Sequence, residues 1–276
     1  ALSSTAWQAG AIVGPAIGGI LYDVTPPLSY GFSAALFAFS VLCLFLIGPV
    51  PRPTMESGNP LRRMAEGLSY IRRNQLVLGA ITLDLFAVLL GGVTAMLPLY
   101  ARDILHVGAQ GLGPLRAAPA LGATITAIVF SFQPIRTNVG VKMLAAVVVF
   151  GAATAVFGLS TSMPLSLAML ALLGAADMFS VYIRQSLIQL HTPDEMRGRV
   201  GAASTLAISA SNELGEARSG FTAALIGPVT ATVAGGVAAI GVTLLWAQLF
   251  PALRNARSFD LPEPLPEKPP VVAGGA

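Results

Sequence analysis

The sequence has little charge and a single cysteine. Asp, Glu, Lys and Arg together make up 11% of its 276 residues, against about 25% in an ordinary soluble domain. A water-soluble globule of this length needs a charged shell that this composition does not supply. Cys43, alone in an apolar run, excludes an intrachain disulfide and a cysteine-rich metal site. The scarcity of charge therefore excludes a soluble protein and favours a lipid environment.

The basic residues are too few and too scattered for a nucleic-acid-binding surface. Fourteen Arg and two Lys contribute to a net charge of +3, but they form no dense stripe that could follow a phosphate backbone. His106 and His191 fall in connections predicted for opposite sides of a membrane, so we expect no metal site. We expect no nucleic acid among the partners.

Apolar residues dominate the chain instead. Hydrophobic residues make up 54% of it, 29 glycines are present, and the mean hydropathy is +0.74. A bilayer core about 30 Å thick needs roughly 20 apolar residues in one helix, and their continuous length predicts helices rather than short barrel strands. The sequence therefore predicts an all-α polytopic membrane protein with about 8 transmembrane helices, over residues 3–22, 30–50, 76–99, 113–133, 141–160, 166–189, 200–225 and 229–250.

The Lys and Arg residues mark alternate connections between the predicted spans. Cytoplasmic loops of membrane proteins carry an excess of these cations, and the intervening connections here hold only Arg102. We expect the basic set to be cytoplasmic and, with an even number of spans, both chain ends to be cytoplasmic. The set comprises Arg52, Arg62, Arg63, Arg72, Arg73, Arg136, Lys142, Arg197, Arg199, Arg254, Arg257 and Lys268.

Composition divides the chain into four parts. We predict a pair of helices over residues 1–50, a cytoplasmic loop over 51–75, a six-helix bundle over 76–250 and a disordered cytoplasmic tail over 251–276. The loop opens with closely spaced prolines and continues as a basic amphipathic stretch. The tail is rich in Pro and Glu and has nothing to bury.

The first predicted span contains a run of small residues at helical spacing. Glycines at every fourth position leave one face of the helix without side chains, so another helix can pack closely against it. An internal proline removes a backbone hydrogen bond and makes the helix easier to bend. The residues of this motif are Gly10, Gly14, Pro15, Gly18 and Gly19.

A second pattern lies between the sixth and seventh predicted spans. Thr192 and Glu195 have the spacing of a capping box, and Pro193 suits the first helical position. Acidic residues at this point stabilise the positive end of the helix, and arginines follow at the membrane interface. One interpretation is a helix cap with a basic anchor. The loop comprises Asp194, Glu195, Arg197, Gly198 and Arg199.

These motifs resemble those of a transporter family. The glycine motif is similar to the antiporter motif in the fifth helix of major facilitator superfamily exporters, with Ala1 at the position of that motif's first glycine. Residues 176–185 and 212–220 are similar to the transmembrane secretion effector and enterobactin exporter-like branch of that superfamily. The resemblance implies a partial major facilitator superfamily fold.

Family members have twelve helices in two six-helix bundles. The resemblance implies that this chain holds the fifth and sixth helices, the central loop and the second bundle, and that the first four helices are missing. It also implies that the loop at 192–200 is a cytoplasmic gate that pins helix ends in one state of a transport cycle, which is the alternative to a simple cap.

Charged residues inside the predicted spans are costly and are therefore functional candidates. Asp84, Asp177 and Glu213 lie roughly 12–20 Å deep, so we expect them to converge near the membrane midplane. Asp177 and Arg184 share one helix face. In one interpretation the charges pair across helices and lock the bundle. In the other, a carboxylate removed from water carries protons.

The second interpretation assigns a role to each charge. Glu213, then Asp177 and Glu216 are the proton-coupling candidates, Arg184 and Arg218 are their charge partners, and Asp84 is a cavity-lining or substrate-facing acid. Arg116, near the outer end of its span, is interpreted as a side chain that snorkels to the interface.

The resemblance implies a secondary active transporter of the bacterial inner membrane that works by alternating access. It would export a small siderophore- or drug-like molecule in exchange for protons. Substrate uptake or uniport is the alternative, as is a truncated chain that is inactive without its missing helices. We expect membrane lipids as further partners and a monomer at full length.

Enzymes and channels are less compatible with the sequence. It contains no GxxxxGK[ST], GxSxG or HExxH pattern, which would indicate an ATPase or a protease. None of the connections resembles a re-entrant selectivity filter. We therefore expect no catalytic residue and no cofactor.

Overall fold

The structure is a computed structural model. It describes residues 24–46, 60–133, 135 and 137–259, together with Gly10, Gly14, Ile17, Gly18, Leu21 and Tyr22. Within these residues the chain folds into helices and their connections, with no strand. The glycine-motif residues Pro15 and Gly19 lie outside the described residues, as do residues 260–276 of the tail predicted over 251–276. The first residues of that tail, Pro251–Arg254, form a helix instead of a disordered segment.

Nine helices are labelled here in chain order. They are α1 (Pro26–Leu46), α2 (Pro60–Arg73), α3 (Gln75–Gly91), α4 (Gly108–Phe132), α5 (Val139–Leu159), α6 (Met163–Leu190), α7 (Asp194–Ile226), α8 (Pro228–Leu249) and α9 (Pro251–Arg254). After Gly92, α3 continues through short turns at Thr94–Met96, Leu97–Leu99 and Tyr100–Ile104.

Six of the described helices are long and apolar enough to cross a membrane: α1, α3 with its extension to Ile104, α4, α5, α6 and α8. The seventh predicted span, 200–225, lies within the 33-residue helix α7. α7 is outside that set of six because its composition is too polar, with Glu213, Glu216 and Arg218 near its centre. The first predicted span lies largely outside the described residues.

The second bundle is held together by close backbone contacts at glycines. A Cβ at Gly122 would lie 1.8 Å from the carbonyl oxygen of Ala171, and one at Gly174 would lie 1.9 Å from that of Pro119. Small residues let membrane helices approach in this way. These two contacts join α4 to α6, and α5 packs extensively on both α6 and α8. α1, in contrast, buries none of its residues.

The extension of α3 is anchored by a buried aromatic residue. Tyr100 is fully buried, and its hydroxyl donates a hydrogen bond of 2.8 Å to the carbonyl oxygen of Gly158. Its ring lies 4.6 Å, centroid to centroid, from the ring of Phe157. A buried tyrosine needs such a partner for its hydroxyl, so this contact fixes the extension of α3 against the end of α5.

The basic amphipathic stretch of the central loop forms α2, which packs across the start of α7. A Cβ at Gly67 would lie 2.6 Å from the carbonyl oxygen of Arg199, so only glycine permits this approach. Glu66 accepts a 2.8 Å hydrogen bond from the same arginine, and the hydroxyl of Tyr70 donates to the carbonyl oxygen of His191. α2 is therefore docked on the bundle.

The predicted capping box at the start of α7 is wrong. α7 begins at Asp194, its N-cap is Pro193, and no side chain caps it. The hydroxyl of Thr192 is buried and has no hydrogen-bond partner within the described part of the chain. Asp194 and Glu195 do lie in the first turn, where a negative charge stabilises the helix end.

Candidate functional site

A central cavity of about 670 Å³ opens between α3, α4, α6 and α7. α6 and α7 follow each other in the chain but have few contacts, whereas α7 packs on α3 and α6 packs on α4. The gap between α6 and α7 therefore forms the cavity. Its polar lining includes Thr94, Arg116, Asp177, Asn212, Glu213 and Glu216.

Three carboxylates and one guanidinium line this cavity. Asp177 is half-buried on α6, whereas Glu213 and Glu216 are exposed on α7 at positions i and i+3. Asp177 and Glu213, which were predicted to converge, thus line the same cavity. A cavity that is mostly apolar, with a few convergent polar groups, is the usual form of a small-molecule site.

Arg116 was missed as a cavity residue. Two prolines on α4, Pro114 and Pro119, flank it, and its side chain lines both the central cavity and a second cavity of about 630 Å³. Its position inside an apolar run was the available signal, since a charge within a span is a functional candidate by default.

Asp84 forms a buried ion pair with Arg184, which joins α3 to α6. The exposed fractions are 5% for Asp84 and 3% for Arg184. Arg184 was predicted to be a charge partner of Asp177, because residues seven apart share one face of a helix. The structure instead gives Arg184 a partner on another helix, and Asp177 faces the central cavity.

A space of about 10 Å³ lies between the ion pair and the central cavity. It is lined by Asp84, Asp177 and Ser180, and the Ser180 hydroxyl has no hydrogen-bond partner within the described residues. A volume near 10–15 Å³ is about the least that holds one water molecule. Both carboxylates therefore line one small space of about the volume of a water molecule.

Arg218 binds the C-terminal end of α3, where the helix is interrupted at Gly92. Its guanidinium donates to the carbonyl oxygen of Leu90 at 2.5 Å and to the Ser219 hydroxyl at 3.2 Å, and Ser219 donates to the Gly92 carbonyl oxygen at 3.2 Å. The last carbonyl groups of a helix lack partners within it, and cations there are favourable. Arg218 makes no ion pair with a described carboxylate.

The described part of the glycine motif lies beside the second cavity. Gly14 and Gly18 line it, opposite Arg102 and Arg116. A Cβ at Gly10, Gly14 or Gly18 would meet no atom within 4 Å. The close packing face that the motif predicts is therefore not formed with any described residue.

The predicted gate loop contributes two arginine contacts at the end of the bundle. Arg197 bonds the Asp194 carboxylate at 2.8 Å and donates to the Gln189 carbonyl oxygen at 3.0 Å. Arg199 bonds Glu66 of α2. Glu195 and Gly198 are exposed. The residues predicted as a loop thus form the first turns of α7 and tie this helix both to the end of α6 and to α2.

Comparison with known proteins identifies the family of this helical chain. A family model described as Major Facilitator Superfamily matches residues 1–216. The chain belongs to the major facilitator superfamily. The match confirms the predicted fold class, a partial form of the superfamily's all-helical membrane fold.

Several curated members of the superfamily are similar to this chain. Enterobactin exporter EntS of Citrobacter koseri is 27% identical over 263 residues, which cover 95% of this chain and 62% of that protein. EntS of Shigella boydii serotype 18 is 28% identical over 89% of this chain and 59% of its own length. EntS of Escherichia coli K12 is 27% identical, covering 90% and 60%. The chain spans about three fifths of these relatives.

Proposed function

We propose that this protein is a secondary transporter that exports a small organic molecule across the bacterial inner membrane in exchange for protons. The observation that carries the proposal is the central cavity, which places three carboxylates and Arg116 among four helices of a chain in the major facilitator superfamily. Its similarity to proteins named enterobactin exporters supports efflux of a siderophore-like or drug-like substrate.

The cavity suits an amphipathic substrate of moderate size. Its volume of about 670 Å³ lies within the usual range for drug-sized ligands. Apolar side chains such as Leu97, Phe150 and Leu173 provide surface for rings or chains, and Arg116 and Asn212 provide hydrogen-bond donors. Substrate would enter and leave by alternating exposure of this cavity to the two sides of the membrane.

Proton coupling would use the carboxylates of the cavity. Asp177 is the stronger candidate, since it is half-buried and shares the water-sized gap with Asp84, whereas Glu213 and Glu216 are more exposed. A carboxylate that loses water holds its proton more readily. Movement of α6 relative to α7 would change the hydration of Asp177 and so release its proton on one side.

The orientation follows from the positive end of the bundle. Arg73 and Arg257 line one cavity beside the end of α2, and Arg199 bonds Glu66 of α2. An excess of cations marks the cytoplasmic side. We place this end and both chain ends in the cytoplasm. The contacts of Glu66 and Tyr70 with the α7 region would then close the cytoplasmic end in one state of the cycle.

Transport assays on the whole carrier, reconstituted into liposomes, test this proposal. A siderophore such as enterobactin should be transported by the unaltered protein, and an imposed pH gradient should drive its accumulation. Asp177→Asn should abolish the gradient-driven accumulation but keep substrate exchange without a gradient, because the variant can no longer take up or release a proton. Glu213→Gln should have the same effect if that residue shares the role.

Asp103→Asn is the matched control, since this acid is exposed and lies outside the central cavity. It should leave both activities unchanged. Full gradient dependence in both Asp177→Asn and Glu213→Gln would remove the cavity acids from proton coupling. Transport by the unaltered protein that ignores the gradient would favour uniport, and no transport of any tested organic substrate would contradict the transporter itself.

A further inference from the structure

A separate cavity of about 710 Å³ lies at the end of the bundle where α2, α3 and α9 meet. None of its lining residues lines the central cavity. It is bounded by the end of α2, the start of α3, the end of α6 and the segment that follows α9. Its polar lining comprises Arg73, Asn74, His191, Asn255, Arg257 and Ser258.

The cavity concentrates positive charge without a compensating carboxylate. Arg73 and Arg257 both line it, both are exposed, and neither forms an ion pair with a residue that the structure describes. Among the residues that the structure describes, no Asp or Glu belongs to the lining. Two like charges that share one cavity repel each other, so an anion bound between them would relieve that repulsion.

His191 adds a third nitrogen group to the lining. Its Nδ1 donates to the carbonyl oxygen of Leu187 at 3.1 Å, since a carbonyl can only accept. Nε2 is then the ring atom that remains for a ligand, and it donates to a phosphate oxygen only in the protonated imidazolium. The bond to Leu187 fixes the orientation of the ring at the wall of the cavity.

The start of α3 contributes its dipole but is not itself the binding group. The Asn74 side chain accepts hydrogen bonds from the backbone of Leu76 and Val77 at 3.1 and 3.2 Å. These first-turn groups are therefore already satisfied. The positive helix end still adds to the local potential, and the two guanidinium groups supply the contacts.

We propose that this cavity binds a phosphate group, carried either by the headgroup of an anionic phospholipid or by a soluble phosphate. A guanidinium forms paired hydrogen bonds with phosphate oxygens, which a point charge cannot do. Asn255 offers an amide donor at the same wall. The site shares no residue with the central cavity.

The surroundings place this cavity at a membrane surface, which favours the lipid as the source of the phosphate. Trp246 and Phe250 lie near the same end of α8, with ring centroids 5.7 Å apart, and aromatic residues concentrate at membrane interfaces. On α2, Met64 and Leu68 are exposed one turn apart. Basic pockets at the cytoplasmic ends of transmembrane helices bind anionic headgroups.

Thermal unfolding of the whole carrier, purified in detergent and stripped of lipid, tests the site. Dioleoyl phosphatidylglycerol, dioleoyl phosphatidylcholine and inorganic phosphate are each titrated, since a ligand that binds the folded state raises Tm with its concentration. Phosphatidylglycerol should stabilise the protein and phosphatidylcholine should not. Each arginine removed should weaken the apparent affinity about fivefold, and Arg73→Gln with Arg257→Gln about 25-fold.

The chain offers matched controls for this experiment. Arg72 and Arg254 are exposed neighbours of the two arginines but do not line the cavity, so Arg72→Gln with Arg254→Gln removes the same charge nearby. Arg73→Lys with Arg257→Lys keeps the charge and should retain part of the affinity, which guards against a variant that fails to fold.

The outcomes separate the two sources of phosphate. Stabilisation by phosphatidylglycerol alone, lost in the Arg73 and Arg257 glutamine variant, assigns the cavity to a lipid headgroup. Stabilisation by inorganic phosphate, lost in the same variant, assigns it to a soluble phosphate. The proposal is overturned if Arg73→Gln with Arg257→Gln binds phosphatidylglycerol and inorganic phosphate as tightly as the control, Arg72→Gln with Arg254→Gln.

Discussion

The buried ion pair between Asp84 and Arg184 makes the most quantitative prediction. Both residues are almost fully buried, at 5% and 3% exposure, and they join α3 to α6. Removing one partner of a buried pair leaves an uncompensated charge and costs about 3–5 kcal/mol. For a chain of this size that loss corresponds to a decrease in Tm on the order of 10 °C.

Asp84→Asn keeps the shape of the side chain and removes its charge, so it isolates the electrostatic effect. Arg184→Met removes the other charge with a side chain of similar length. Each single variant should unfold at a temperature well below that of the unaltered protein, as measured by intrinsic tryptophan fluorescence in detergent. The double variant should recover part of the loss, because no unpaired charge remains in the core.

An exposed ion pair in the same chain is the control. Arg102 and Asp103 are bonded at 2.6 Å, but their side chains are 74% and 44% exposed. Water and salt screen such a pair, so Asp103→Asn should leave Tm unchanged. The reasoning is refuted if Asp84→Asn behaves like Asp103→Asn, or if the double variant loses as much as the two single variants together.

Two further predictions concern glycines at helix contacts. Gly174→Ala should strongly reduce the yield of folded protein in size-exclusion chromatography, since its Cβ would lie 1.9 Å from a backbone oxygen of α4. Gly241→Ala is the control and should keep the yield, because a Cβ there would meet no atom within 4 Å. Equal yields of the two variants would contradict the close packing at Gly174. Gly67→Leu should release α2 from α7, where a Cβ would lie 2.6 Å from the Arg199 oxygen, and should speed hydrogen exchange in α2 at least about tenfold. Glu66→Gln, which removes a partly exposed ion pair, should raise the rate of hydrogen exchange in α2 by about twofold to threefold. An equal effect of the two variants would count against the close approach of Gly67 to the backbone of α7.

The sequence alone determined the class of protein and the approximate extent of its helices. Apolar runs predicted 141–160 and 229–250, and the structure has Val139–Leu159 and Pro228–Leu249. This works because a bilayer accepts a backbone only when its polar groups are bonded within the segment, so length and composition suffice. The polar centre of α7 was also visible as charge within a predicted span.

The partners of those charges were decided only by the tertiary structure. Helical spacing told which residues share a face, and it suggested Arg184 as a partner for Asp177. It could not tell how each helix is rotated toward its neighbours, and that rotation places Asp84 beside Arg184 and Arg218 beside the end of α3. Close contacts at glycines set these rotations, and they depend on pairs of residues far apart in the chain.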